Sequence, residues 1–282
     1  MAPWTGIVLA LPSSRPDAMV SRLPTYLHPI AGRPLVWHSL AAMAEASTPP
    51  QRVLVISEGD LSDEIFQDIS LPVESLAVPD IEERPRALVQ PLDGDGPCVV
   101  LHACAVASGA ALDAALAGET GAWLGGDDEQ AAVVRSDSDH LSRLLRLPDP
   151  MDVPNGAISA SDRLDTSVAE PLVTDRALLA SVTERVRRRL VGTLMASGVS
   201  FLLPDTVLVD VDVRVGRDSI IYPGVVLEGT TTVGEETVIG PGCRIIDSWV
   251  GSGVELRGWN YISHTSIRNR AILEPYVRRG FD

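Results

Sequence analysis

The sequence lacks the features that mark membrane, secreted and nucleic-acid-binding proteins. No apolar run approaches the roughly 20 residues that a membrane-spanning helix needs, and the N-terminus has no basic start before its apolar stretch. Acidic residues outnumber basic ones by 38 to 23, and the net charge of -15 repels nucleic acid phosphates and anionic membranes. These absences predict a cytoplasmic protein that binds neither membranes nor nucleic acid.

Cysteine is also scarce, and aromatic residues make up only 4% of the chain. The three cysteines are Cys98, Cys104 and Cys243, and none has the CxxC spacing of a structural zinc site. We therefore expect reduced, mostly buried thiols without a disulfide framework, and we expect no structural metal.

What the sequence does contain is a period of six in its last third. Aliphatic residues recur at this spacing, and the phase slips by one residue before Val250 and again before Ile267. A second column, four residues after each aliphatic, is mostly small or β-branched, and Trp249 and Asn260 interrupt it. The period is typical of a hexapeptide β-helix, whereas a β-sandwich would alternate with period two. Trp249 coincides with the first slip and indicates a shortened corner. The aliphatic column is Val209, Val215, Ile221, Leu227, Val233, Ile239, Ile245, Val250, Leu256, Ile262, Ile267 and Leu273.

Upstream of the repeat, residues 175–197 have leucine and valine four apart and predict an amphipathic helix that ends at Gly198. Its arginines, Arg185, Arg187, Arg188 and Arg189, predict a solvated helix face. Before it, strand-like apolar runs alternate with helical patterns, which favours a parallel α/β sheet. We therefore predict an α/β domain over 1–174, a linking helix over 175–200 and a β-helix over 201–282.

Several segments resemble the bifunctional GlmU family of N-acetylglucosamine-1-phosphate uridyltransferases and glucosamine-1-phosphate acetyltransferases. The segments are 23–35 (LPTYLHPIAGRPL), 153–157 (VPNGA), 184–190 (ERVRRRL), 194–199 (LMASGV) and 221–229 (IYPGVVLEG). The resemblance implies a shortened Rossmann-like nucleotidyltransferase domain followed by a left-handed parallel β-helix that trimerises. It also implies uridyl transfer in the first part and acetyl transfer in the second.

The residues that match the family's phosphate-binding parts have lost the required chemistry. Phosphoryl transfer needs a backbone cradle, a cation and metal ions around the triphosphate. The loop over 9–19 has no glycine and contains Pro12 and Pro16, which lack an N–H group. The family's Leu-Pro-Lys becomes Leu-Pro-Thr at Thr25, so the cation is missing as well.

The residues that match the family's magnesium ligands are similarly altered. Cys104 falls where the family has an aspartate, and a thiol is a poor ligand for a hard cation. Thr174 falls where the family has a second ligand, an asparagine. The neighbouring Asp175 either replaces that ligand or caps the following helix.

We interpret the chain as a degenerate, C-terminally truncated relative that has lost uridyl transfer and acts as a binding, regulatory or structural protein. The resemblance places a remaining sugar or nucleotide pocket at Asn155 and Gly156, with Arg15 as a possible anion contact. Asn155 and Gly156 fit a simple backbone turn equally well. Gln90 is the one candidate for reading the uracil base. No cofactor is expected, and Mg²⁺ enters only if the transferase activity persists.

Two enzymatic alternatives stay open. One is an active transferase that makes UDP-N-acetylglucosamine or a related sugar nucleotide. The other is a hexapeptide acyltransferase in which His264, at a coil corner, acts as a base. His28 and His38 are expected to be structural, and His102 and His140 show no partner spacing for zinc or a triad.

The expected partners are a sugar nucleotide and further copies of the same chain, with the β-helix as the trimer contact. Four aromatic residues near the end of the repeat either cover strand edges or mark a subunit contact. They are Trp259, Tyr261, Tyr276 and Phe281.

Overall fold

The computed structural model describes residues 3–11, 19–78, 96–118, 123–124, 133–136, 141 and 172–280. The chain forms two compact units. The first comprises residues 1–28 and 34–182, and the second comprises residues 29–33 and 183–282. Within the described ranges, no helix is long and apolar enough to cross a bilayer.

The first unit is built on a six-stranded sheet whose strand order is β5-β4-β1-β6-β8-β7. The first four strands in this order are parallel, and β8 is antiparallel to both β6 and β7. The middle strands β1, β4 and β6 are almost wholly buried, as expected for continuous apolar runs in a parallel sheet. In chain order the strands of this sheet are β1 (Thr5–Ala10), β4 (Arg52–Ser57), β5 (Val73–Ala77), β6 (Cys98–His102), β7 (Trp123–Leu124) and β8 (Val133–Ser136). Strands β2 (Pro29–Ile30) and β3 (Arg33–Pro34) form a separate two-stranded sheet.

Among the described residues, helices α1 (Leu35–Glu45) and α2 (Gly109–Ala117) accompany this sheet. Helix α1 begins directly after Pro34, whose fixed φ suits the start of a helix. Helix α2 is capped by Ser108, whose hydroxyl accepts a hydrogen bond from the N–H of Ala111 at 3.3 Å. Gly109 is the first residue of α2, and a methyl group there would overlap the Glu45 carbonyl. Short 3-10 turns lie at Thr25–Leu27, Asp63–Ile65 and Pro204–Thr206.

A long helix, α3 (Arg176–Ala196), precedes the repeat and ends as its sequence predicts. Gly198 has a φ of 101°, and the N–H of Val199 donates to the Leu194 carbonyl. This is the left-handed helix stop that glycine favours.

The repeat forms a left-handed parallel β-helix with three sheets, whose orders are β10-β13-β16-β19-β22, β11-β14-β17-β20 and β21-β18-β15-β12-β9. The aliphatic column points inward and forms one continuous core. The strands are β9 (Ser200–Phe201), β10 (Leu208–Val209), β11 (Arg214–Val215), β12 (Ile220–Ile221), β13 (Val226–Glu228), β14 (Thr232–Val233), β15 (Val238–Ile239), β16 (Arg244–Ile246), β17 (Trp249–Val250), β18 (Glu255–Leu256), β19 (Tyr261–Ser263), β20 (Ser266–Ile267), β21 (Ile272–Leu273) and β22 (Arg278–Arg279).

The two phase slips in the sequence are shortened corners. Leu227 pairs with Ile245, a separation of 18 residues, whereas Val233 pairs with Val250, a separation of 17. All later pairs keep the separation of 17. Both coils are therefore one residue shorter at the same corner. This corner joins the sheet of β16 and β19 to the sheet of β17 and β20.

The second inward column differs from the prediction at these shortened corners. Ser248 is 4% exposed and faces inward, whereas Trp249 is 45% exposed and points outward. Ser266 is likewise exposed, and Thr265 takes the inner position. Each shortened corner lacks the residue that normally precedes the inward-facing one. The inward-facing residue there follows the aliphatic residue by three positions, not by four. Asn260 does not interrupt the column, because its side chain is buried and donates to the Glu274 carbonyl at 2.7 Å.

Buried hydroxyl groups in this column join neighbouring coils. The Thr237 hydroxyl donates to the Gly251 carbonyl at 2.9 Å and accepts from the N–H of Val254 at 3.4 Å. The Ser219 hydroxyl donates to the Gly234 carbonyl at 2.8 Å and accepts from the N–H of Thr237 at 3.1 Å. Because each of these two hydroxyls both donates and accepts, neither is buried without a partner.

The prediction of a solvated arginine face is wrong for Arg187. Arg187 is only 4% exposed, and its guanidinium donates to both carboxylate oxygens of Glu184 at 2.7 and 2.6 Å. It also donates to the Pro204 carbonyl at 2.6 Å and pairs with Asp205 at 3.3 Å. These contacts raise the pKa of Arg187, chiefly through the Glu184 hydrogen bonds, and tie α3 to the first coil.

Replacing Arg187 with methionine should destabilise the second unit. The substitution keeps the apolar stem but leaves the Pro204 carbonyl without its donor, at a cost of about 2 kcal/mol in the free energy of unfolding. Arg188→Met is the matched control, since Arg188 is exposed and makes only an i,i+4 pair worth roughly 0.5 kcal/mol. Urea denaturation followed by circular dichroism measures both, and equal stabilities would contradict the structural role of Arg187.

Candidate functional site

The carboxyl ends of β1 and β6 form the topological switch point of the first unit. From β1 the chain continues to β4 on one side of the sheet and later returns to β6 on the other side. In open α/β sheets, ligands bind at the carboxyl ends of the strands where the order reverses in this way. The turn after β6, His102 to Cys104, therefore lies at the expected ligand position.

This turn is buried, and hydrogen bonds hold its backbone. His102 and Cys104 are 5% and 3% exposed, and the N–H of Cys104 donates to His102 Nδ1 at 3.0 Å. In the neutral imidazole the proton is therefore on Nε2. The N–H of Val173 donates to the Cys104 carbonyl, and the Ser39 hydroxyl donates to the His102 and Ala105 carbonyls at 3.2 and 3.0 Å. The sulfhydryl of Cys104 is thus held in a fixed, dry position.

Tyr26 adds a buried phenol to this end of the sheet. Its ring is 7% exposed, and burial is the main cause of its raised pKa, with further contributions from Glu58 and Cys104. The phenol therefore stays neutral at physiological pH. Glu58 follows β4 directly and is exposed. The sequence analysis did not identify either residue as part of the site. Tyr26 could have been found because it adjoins Thr25, and Glu58 because it follows the end of a strand.

The described residues that match the family's metal and phosphate positions do not fit a magnesium ion. Cys104 presents a buried soft thiol, whereas Mg²⁺ prefers exposed hard oxygens. Asp175 Oδ1 accepts the N–H of Leu178 at 2.8 Å, so the carboxylate caps α3. Thr25 is half-buried and carries no charge. Over the described ranges, His, Cys, Asp and Glu form no group of three or more that could hold a metal.

The predicted ligand contacts lie outside the described residues. This applies to Arg15, Asn155 and Gly156, to Pro12 and Pro16 in the loop after β1, to Gln90 and to His140. Their roles stay predictions. All three cysteines are described, and each is buried and unbridged.

His264 lies on the surface of the β-helix at a shortened corner. Its side chain is 57% exposed, and its Nδ1 is 3.9 Å from Asp247 Oδ2, beyond hydrogen-bonding distance. Asp247 accepts instead from the N–H and hydroxyl of Thr230 at 2.9 and 3.2 Å. Among the other histidines, His28 Nδ1 meets the Pro24 carbonyl at 3.2 Å and His38 packs edge-on against Trp37, as structural residues do.

The aromatic residues near the end of the repeat form two outward contacts. Trp259 and Tyr276 stack with ring centroids 5.6 Å apart and stay 53% and 72% exposed. The guanidinium of Arg278 lies 5.3 Å from the centroid of the Tyr261 ring. Phe281 lies outside the described residues. Whether these rings cover strand edges or meet another subunit stays a prediction.

The fold combines a hexapeptide-repeat β-helix with an α/β unit. Residues 212–247 match the family model described as bacterial transferase hexapeptide (six repeats). A solved nucleotidyl transferase from Methanothermobacter thermautotroptrophicus aligns with 67% of this chain and 100% of its own, with a TM-score of 0.49 and 13% identity.

The more particular likeness is to bifunctional GlmU proteins, which confirms the predicted resemblance. Identity is 35% over 124 residues with the GlmU of a Geobacillus species, covering 44% of this chain and 27% of the relative. It is 39% over 105 residues with that of Alkaliphilus oremlandii, covering 37% and 23%. It is 33% over 150 residues with that of Mycobacterium marinum, covering 52% and 30%. The chain therefore spans less than a third of these relatives.

Replacement of Asp175 should separate a capping role from a metal-binding role. Asp175→Ala removes the acceptor for the Leu178 N–H and should lower the free energy of unfolding by about 1 kcal/mol. Asp175→Ser supplies a hydroxyl cap and should recover most of that loss. Thermal denaturation with and without Mg²⁺ measures the difference. A loss that serine does not repair, together with stabilisation of the parent protein by Mg²⁺, would contradict the capping role.

Proposed function

We propose that this GlmU-like relative of the sugar nucleotidyltransferases has lost uridyl transfer and acts as a binding, regulatory or structural protein. The observation that carries the proposal is Cys104. At the switch point of the sheet, where the resemblance calls for a magnesium-binding aspartate, the chain has a thiol that is 3% exposed.

The physical reason lies in the charge of the transferred group. A uridylyl group in transit is stabilised by cations and by preorganised N–H donors, and loss of one such donor costs about 3 kcal/mol of transition-state stabilisation. Here Cys104 replaces a ligand, Asp175 caps a helix, and Thr25 is uncharged. These losses act on the same transition state, so together they favour a site without this chemistry.

Binding does not require the lost groups. A neutral phenol at Tyr26, a buried thiol at Cys104 and the exposed Glu58 surround the carboxyl end of the sheet. The proposed ligand is a sugar nucleotide, with Asn155 and Gly156 contacting the sugar and Arg15 contacting a phosphate. We propose further that the protein is cytoplasmic and forms a homotrimer through its β-helix.

The purified protein should release no pyrophosphate from UTP, N-acetylglucosamine-1-phosphate and Mg²⁺ above the uncatalysed background. If the pocket persists, UDP-N-acetylglucosamine should raise the melting temperature to the same extent with Mg²⁺ or with EDTA. A ligand at 100 times its dissociation constant adds about 2.7 kcal/mol to the free energy of unfolding. Differential scanning fluorimetry and a coupled pyrophosphate assay measure the two quantities.

Two cysteine variants serve as controls for the pyrophosphate assay. Cys98 is as buried as Cys104, but it is the first residue of β6, at the opposite end of this strand from the turn that holds Cys104. Pyrophosphate release that is abolished in Cys104→Ser and retained in Cys98→Ser would overturn the proposal and restore the active-transferase alternative. The absence of a thermal shift with any ligand would favour a structural or partner-binding role within the proposal.

We propose acyl transfer with His264 as the base as a second candidate function. Its imidazole is open to solvent, with a carboxylate 3.9 Å away on the preceding coil. This candidate predicts turnover of acetyl-CoA with an amino-sugar acceptor and its loss in His264→Ala. The matched control is His264→Asn, because asparagine also accepts the left-handed backbone but is not a base. Activity that survives in His264→Asn would exclude a base role for this residue.

A further inference from the structure

Residues Pro29–Arg33 belong to the second unit, although the residues on both sides of them belong to the first. The N–H of Leu35 donates to the His28 carbonyl at 3.0 Å and draws the two ends of this segment together. Between them β2 and β3 pair across Ala31 and Gly32, which have φ values of 47° and 81°. We call this five-residue turn the clasp.

Three contacts hold the clasp against the first coil of the β-helix. The N–H of Val211 donates to the Ala31 carbonyl at 3.1 Å. The Arg33 guanidinium donates to Asp212 Oδ2 at 2.7 Å, and both side chains are more than half buried. The Cα of Gly32 lies against the Asp210 carboxylate, where a methyl group would come within 2.6 Å of Oδ2. Only glycine fits this position without displacing Asp210.

The carboxylate beneath Gly32 is surrounded mainly by other carboxylates. Asp210 is half-buried and accepts one hydrogen bond, from the N–H of Gly229 at 2.8 Å. Asp212, Glu228 and Asp247 face it and disfavour its ionised form. Among the nearby basic side chains, Arg33 pairs with Asp212 and Arg244 pairs with Glu228 at 2.5 Å, and the imidazole of His264 lies 3.9 Å from Asp247. The contacts of the clasp thus include a carboxyl group that is poorly solvated in the closed arrangement.

We propose that the clasp is detachable and that it tightens when Asp210 takes up a proton. In the closed arrangement the carboxyl lies under Gly32, and protonation removes its repulsion from Asp212, Glu228 and Asp247. When the clasp detaches, water reaches the carboxyl, which ionises and releases one proton to solvent. Detachment is therefore favoured as the pH rises.

The direction of the pKa shift agrees with this geometry. Burial is the largest cause of the raised pKa of Asp210, neighbouring carboxylates add to it, and the Gly229 N–H opposes it. A carboxyl with a raised pKa in the closed state contributes stability that is full below the pKa of the open state. That contribution is lost as the pH rises through the closed-state pKa.

Hydrogen exchange at the N–H of Val211 measures the opening, because this group donates to Ala31 across the clasp. Its protection factor, corrected for the intrinsic exchange rate, should fall about threefold to tenfold between roughly pH 4 and pH 7. The control amide is Val226, which donates to the Cys243 carbonyl within the β-helix and should change far less.

Two variants identify the group responsible. Asp210→Asn retains an oxygen that can accept from Gly229 but cannot ionise, so the protection of Val211 should become independent of pH. Arg33→Gln removes the ion pair with Asp212 and should lower the protection at every pH while leaving its pH dependence unchanged. If Asp210→Asn does not fold, the parent protein and Arg33→Gln still decide the question. A parent protein with pH-independent protection, a pH dependence that persists in Asp210→Asn, or one that vanishes in Arg33→Gln would each overturn the proposal.

Discussion

Each coil of the β-helix turns sharply at three corners, and its corners need a residue in the left-handed region of φ. This constraint limits which residues can occupy the outer surface of the repeat at its corners. Where glycine is absent, the corner holds a residue whose left-handed backbone costs about 1 kcal/mol, and the hydrogen bonds between coils hold it there. The corner residues form three columns: Asp218, Glu236, Gly253 and Arg270; Gly224, Gly242, Trp259 and Tyr276; and Gly229, Asp247 and His264. His264 therefore stands where the two preceding coils also have a left-handed residue, Gly229 and Asp247, and its position alone is no mark of catalysis.

The architecture of the repeat could be predicted from the sequence because the six-residue pattern depends on residues that are close together in the chain. Inward aliphatics fix the register, and the slips before Val250 and Ile267 correspond to real shortened corners. The same pattern does not reveal which residue of a corner is missing, so counting four from the aliphatic residue reaches the exposed Trp249 and not the inward-facing Ser248. Asn260 was misread for a related reason, since hydropathy gives no indication of a buried amide with hydrogen-bond partners.

The candidate site was only partly predictable. Thr25 and Cys104 could be identified because adjoining residues match a family motif, and the capping role of Asp175 follows from its place before a helix. Contacts between residues that are far apart in the chain produce no motif in the sequence. Arg33 and Asp212 are 179 residues apart in the chain, and Arg187 is buried by a carbonyl and a carboxylate of a later turn. The sequence predicted a solvated Arg187, and the three-dimensional contacts show a buried one.

The shortened corner has a consequence for how such repeats change over evolution. One residue is lost between β16 and β17 and again between β19 and β20, yet the strands that follow stay in register. The number of residues at this corner can thus change without altering how the core residues of successive coils stack. At another corner, Gly216 and Gly234 pack so closely on the next coil that a side chain on either would overlap backbone atoms. Related chains should accordingly be free to differ in length along the vertical edge formed by the shortened corners.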